Sequence, residues 1–90
     1  MSSKDEQEKI LTTKLLRDLV SANILYDFIS SFISDEFSSV EEKESALYNA
    51  KKFLKYINNI GLEEQQVEKL TNLLNETILI LEREINEIKK

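Results

Sequence analysis

The sequence predicts an all-α fold, an antiparallel three-helix bundle (up-down-up) in a single domain, and three observations carry that expectation. Proline is absent from the 90 residues, and glycine occurs once, at Gly61. These two residues are the usual interrupters of regular backbone, so their scarcity leaves room for long helices. Apolar side chains also recur at alternating spacings of four and three over three stretches, the period of a helix face that packs on neighbours.

The first helix is expected over about residues 5–34, behind a disordered polar tip at residues 1–4. Its stripe reads Leu15, Leu19, Ala22, Tyr26, Ile29 and Ile33. Leu11, Leu16, Val20, Leu25, Phe28 and Phe32 widen it. Asp5 and Glu6 stand near its start, where the helix dipole favours negative charge. Ser21-Ala22-Asn23 is its weak point, because Ser and Asn side chains compete for backbone hydrogen bonds. A break there would convert three helices into four.

A short linker, about Asp35 to Ser39, leads to the second helix at about residues 39–59. Ser38 with Glu41, or Ser39 with Glu42, has the spacing of a capping box. The buried positions of this helix are expected at Val40, Leu47, Ala50, Leu54 and Ile57, with Phe53 beside them. Gly61 ends it, since glycine alone takes the left-handed conformation after a helix without steric cost, and Leu62 can fold back onto Ile57. The third helix, about residues 63–89, opens on Glu63 and Glu64 and closes on Lys89 and Lys90, matching the dipole at both ends. Its stripe is Val67, Leu70, Leu74, Ile78, Leu81, Ile85 and Ile88.

Composition narrows the chemistry. Histidine and cysteine are both absent. That removes the commonest general base, the commonest zinc ligands and any disulfide. Serines and threonines have no histidine to activate them and no glycine-rich elbow around them. Carboxylate pairs such as Glu64/Glu68 and Glu84/Glu87 share one helix face, whereas acid–base catalysis needs carboxylates in contrasting environments across a pocket. The acidic run Asp35, Glu36, Glu41, Glu42, Glu44 lacks the alternating oxygens and glycine of a calcium loop. No glycine-rich loop can cradle a phosphate. The expectation is a protein with no enzymatic activity, cofactor, metal or small-molecule substrate. Asn75-Glu76-Thr77 matches a glycosylation sequon, a chance match in a chain without a secretion signal.

Seventeen acidic and twelve basic residues give a net charge of −5. That favours solubility and disfavours direct contact with nucleic acid or anionic lipid. The polar amino terminus is no signal peptide, and no apolar run is long enough to span a membrane. A cytoplasmic setting is expected. One basic cluster, Lys51, Lys52 and Lys55, interleaves with Tyr48 and Tyr56 and could meet nucleic acid or an acidic partner.

The third helix also carries Ile78-Leu79-Ile80-Leu81. Four consecutive large aliphatics, about 100° apart on a helix, cover most of its circumference. Leu73 and Ile80 fall on a second face and Leu79 on neither. The first helix is similarly apolar around Leu25, Phe28 and Phe32. An apolar excess of this kind marks a central helix or an interface. The expected partner-binding residues are therefore Leu25, Phe28, Phe32, Leu73, Leu79 and Ile80, with another protein or a second copy of the chain as partner. A break at Ser21–Asn23 would weaken this expectation, because a fourth helix could cover those faces.

The stretch Ile60-Gly61-Leu62-Glu63-Glu64-Gln65-Gln66, leading into a leucine-rich helix, resembles the third-to-fourth helix region of intracellular immunity proteins for small bacteriocins. The composition is similar to that of small helical accessory subunits in crenarchaea, such as those bound to the replicative family-B DNA polymerase. The expected function is a non-enzymatic interaction module, an accessory or regulatory subunit of a larger assembly. The alternatives are a bacteriocin-immunity-like or phage-encoded inhibitor bundle, and a nucleic-acid-binding protein acting through Lys51, Lys52 and Lys55.

Overall fold

A computed structural model of the chain describes residues 3–33 and 39–89. Among them are four α-helices: α1 (Ser3–Ser21), α2 (Leu25–Ser30), α3 (Val40–Tyr56) and α4 (Glu64–Lys89). A 3-10 turn follows α2 at Ser31–Ile33, and another follows α3 at Ile57–Asn59. The all-α expectation holds, and the four-helix form replaces the up-down-up one. The helix begins before residue 5, at Ser3; Met1 and Ser2 of the expected tip lie outside the described residues. So does the expected linker apart from Ser39, and with it the Ser38–Glu41 cap.

The first helix breaks where Ser21, Ala22 and Asn23 suggested it could. Asn23 sits at φ +59°, in the left-handed region. The Ile24 amide donates to the Leu19 carbonyl and the Asn23 amide to the Val20 carbonyl, both at 2.9 Å. This is the paired bonding of a Schellman ending, with Asn23 in the position usually held by glycine. Asparagine tolerates that conformation better than other residues with a β-carbon.

At α3 the expected cap forms. The Ser39 side chain accepts the Glu42 amide at 3.2 Å, and its hydroxyl lies 3.3 Å from the Glu42 carboxylate. Gly61 takes φ +77°, but α3 itself ends earlier than expected, at Tyr56, and the 3-10 turn Ile57–Asn59 stands between the two.

Contacts between helices fix their directions. Glu44 bonds Lys89 at 3.1 Å while Lys51 pairs with Glu82 at 3.6 Å, so α3 and α4 are antiparallel. Glu8 meets Tyr48 and Lys52 whereas Arg17 reaches the Asn59 carbonyl, so α1 runs parallel to α3. The break between α1 and α2 is what permits this, because α2 spends the intervening reversal. The α3–α4 pair is the largest contact, and α4 also packs on α2 and on both 3-10 turns.

The core gathers Leu16 and Leu19 of α1, Leu25 and Ile29 of α2, Ala50, Phe53, Tyr56 and Ile57, and Leu70 and Leu74 of α4. Farther along α4, Leu81 and Ile85 are buried against the far end of α3. Two expected stripes are turned. In α1 the inner face is Thr12, Leu16 and Leu19, and of the expected stripe Leu15 of α1, Ala22 of the turn and Tyr26 of α2 are exposed. In α3 the inner face is Lys43, Ala50, Phe53 and Tyr56, while Val40, Leu47 and Leu54 are half-buried. The turn in α3 follows from α1, which covers a flank that a three-helix bundle would leave in water. Thr77 rather than Ile78 occupies the centre of α4's inner face, and Ile88 is exposed. The Thr77 hydroxyl donates to the Leu73 carbonyl at 2.7 Å, which satisfies it inside the core.

Candidate functional site

The expected binding residues separate once placed in the fold. Leu25 is a correction: it is 5% exposed and belongs to the core, because the break at Asn23 turns α2 back over α4. Phe28 and Phe32 are half-buried and form a cluster with buried Phe53. Phe28 and Phe32 meet edge-on at 5.5 Å between ring centroids, and both lie within 5.9 Å of the Phe53 ring. Leu73 is half-buried and packs on the core, and Ile80 is half-buried. Leu79 is 62% exposed. The fold therefore does not gather these six residues into one surface.

A different apolar surface lies on α1. Ile10 is 65% exposed, Leu11 66% and Leu15 41%. All three stand on the helix that supplies only Leu16 and Leu19 to the hydrophobic core. Leu11 and Leu15 border a shallow groove of about 170 Å³ between α1 and α3, with Phe28, Phe53, Asn49 and Lys52 on its other walls. Its one charged lining residue is Lys52. Sequence reasoning placed Leu11 and Leu15 in the first helix's buried stripe, and it passed over Ile10. The sign that could have found them is the asparagine at position 23: a helix ending there resets which of its faces points inward.

The lysine cluster is engaged within the fold. Lys51 pairs with Glu82 of α4 at 3.6 Å, and Lys52 with Glu8 of α1 at 3.8 Å. Lys52 also stands over the Tyr48 ring, 5.1 Å from its centroid, and Lys55 over the Tyr56 ring at 5.3 Å. The Tyr48 hydroxyl donates to the Glu8 carboxylate, and that bond holds the Tyr48 pKa above 10.0, with desolvation and the Glu8 charge acting in the same direction. The cluster thus ties α3 to both neighbours, to α1 through Lys52 and to α4 through Lys51, with two of its three ammonium groups opposite carboxylates.

Among the described residues one charged group lies inside the bundle. Lys43 is 5% exposed, and its ammonium pairs with Glu84 of α4, which is about a third exposed. On the sequon, Thr77 is fully buried in mid-helix. Among the described residues no group of three or more Asp or Glu side chains is arranged to hold a metal ion, and no helix is long and apolar enough to cross a membrane. Comparison of the chain with models of protein families, with curated proteins and with solved structures finds no match.

Proposed function

We propose that this chain is a non-enzymatic protein-binding module, an accessory or regulatory subunit acting in the cytoplasm, and that it docks through the outer face of α1. What supports the reading is the exposure of Leu11 and Leu15, one turn apart on α1 beside the groove that Phe28 and Phe53 also line, with Ile10 exposed on the adjoining flank of the helix. Single exposed aliphatics are ordinary on a protein surface, whereas grouped ones are characteristic of interfaces. Covering these three would contribute about 3–5 kcal/mol of apolar burial. Half-exposed Phe28, at the edge of the same groove, adds an aromatic anchor of the kind that dominates binding energies. The absence of His and Cys from the sequence weighs against a catalytic role. The nucleic-acid alternative is weaker, because Lys51 and Lys52 already face Glu82 and Glu8. No observation favours the inhibitor alternative.

The test is affinity capture from the source cells with the unaltered chain and with the double variant Ile10→Glu, Leu11→Glu. Neither residue is in the core, so the variant keeps its helical circular dichroism and melting temperature. The expected outcome is a partner that co-purifies with the unaltered chain and is lost with the variant. A partner retained equally by both would overturn the assignment of this surface.

A further inference from the structure

We propose that α1 exchanges between two copies of this chain: the turn at Ala22–Ile24 opens, α1 and α2 join into one helix, and each α1 docks on α3 of the other copy. This does not rest on the partner surface proposed above.

Three observations meet at the hinge. First, Leu15, Leu19, Ala22, Tyr26 and Ile29 keep their four-three spacing straight through the break, as one continuous helix requires. In the closed chain part of that stripe is idle: Leu15, Ala22 and Tyr26 are exposed while Leu19 and Ile29 are buried. Second, the turn is held by a residue with a β-carbon in the left-handed region, Asn23 at φ +59°. Neither glycine nor proline occurs there, so nothing in the sequence prevents a continuous helix. Third, α2 is only six residues long and starts at Ile24 with no side-chain cap. Joining it to α1 gives its first amides the carbonyl partners that a helix start lacks.

The occupant of the vacated surface is a second copy because that surface is already shaped for α1. Glu8 meets Tyr48 and Lys52, Arg17 meets the Asn59 carbonyl, and Leu16 and Leu19 enter the core. Each of these contacts re-forms between copies, so exchange retains the existing interface and adds a new one at the hinge. There the two straightened helices pass each other, with Ala22 small enough for close approach and Leu15 and Tyr26 on either side. Short connections between packed elements favour such exchange.

The experiment compares the unaltered chain with Asn23→Ala and Asn23→Gly by size-exclusion chromatography with light scattering over a concentration series. Alanine is the better helix former and the poorer left-handed residue, and glycine is the reverse. Two hinges open per dimer, so Asn23→Ala should dimerise on the order of 100-fold more tightly than the unaltered chain, and Asn23→Gly more weakly. If Asn23→Ala does not fold, Asn23→Gln serves in its place. Zero-length carbodiimide coupling of Glu8 to Lys52, which lie 3.8 Å apart, then reports where α1 sits. When isotopically light and heavy chains are refolded together, an exchanged dimer yields Glu8–Lys52 products that join light to heavy. A helical Asn23→Ala chain that stays monomeric at every concentration would overturn the proposal. A dimer whose Glu8–Lys52 products are never mixed would overturn it too, since α1 would then have stayed on its own α3.

Discussion

Removing either partner of the Lys43–Glu84 pair deletes the same ion pair, yet the two deletions should differ in cost. The Lys43 ammonium is 5% exposed, whereas the Glu84 side chain is 36% exposed. Glu84→Gln leaves a buried cation facing a neutral amide. A hydrogen bond to a charged group contributes about 1.5–3 kcal/mol net. With Glu84 a third exposed, solvent screening lowers the expected cost to about 1–2 kcal/mol. Lys43→Met instead leaves Glu84, which rehydrates where it stands, and fills the inner face of α3 with an apolar side chain of similar length. Replacing a buried charge by a well-packed apolar group is often neutral or stabilising. The expected change for Lys43→Met is therefore within about 1 kcal/mol of zero, in either direction. In a domain of this size 1 kcal/mol moves the melting temperature by about 4–8 °C. Urea denaturation of both single variants and the double variant reads the difference, with the double variant expected to resemble Lys43→Met. If Lys43→Met costs as much as Glu84→Gln or more, the burial asymmetry does not govern this pair and the reasoning fails.

Leu74 is fully buried where α4 meets the core, so Leu74→Ala should cost about 3–5 kcal/mol and leave the chain largely unfolded in mild denaturant by circular dichroism. Gly61 has φ +77° and nothing within 4 Å of where a β-carbon would stand, so Gly61→Ala should cost only the left-handed backbone term of about 1–2 kcal/mol, measured by the shift of the urea midpoint. The Tyr48 pKa is raised above 10.0 chiefly by its bond to Glu8. A folded-state pKa raised in this way contributes stability that is full below pH 10 and is lost as the pH rises through the folded value. Ultraviolet titration should therefore show Tyr48 ionising above pH 10, and Glu8→Gln should lower its midpoint.

Signals confined to a few neighbouring residues were legible in the sequence. The absence of proline pointed to the helices, Ser39 and Glu42 to the start of α3, and Gly61 to a left-handed turn between α3 and α4, though α3 itself ends five residues before it. Ser21 to Asn23 marked the hinge, because an asparagine that tolerates the left-handed conformation needs no distant partner to end a helix. The phase of the buried faces was not legible, because the stripe Leu15, Leu19, Ala22, Tyr26, Ile29 runs unbroken through the hinge and gives no sign that α1 is to turn. Nothing near Lys43 in the sequence marks it as buried, since its carboxylate partner lies 41 residues away on α4. Thr77 escaped notice for a related reason. Its hydroxyl is satisfied by a carbonyl of its own helix, so a residue that counts as polar in a pattern behaves as core in the fold.

The run Ile78-Leu79-Ile80-Leu81 drew attention to α4, but the fold shifts the weight to α1. A helix packed against one neighbour needs one apolar stripe, whereas one packed against several needs a broad arc. α4 contacts α3, α2 and both 3-10 turns. Leu81 supplies the centre of that arc, Ile78 and Ile80 its two edges, and Leu79 alone faces water. Leu79 and Ile88, the exposed aliphatics of α4, stand singly and nine residues apart, which is within the ordinary character of protein surfaces. α1 is in the opposite position. It packs mainly on α3 and less on α2, and Leu16 and Leu19 suffice for that. Ile10, Leu11 and Leu15 have no task inside the closed chain. Width of apolar surface is therefore evidence of binding only after the neighbours of each helix have been counted, and on that measure α1, not α4, carries the surplus.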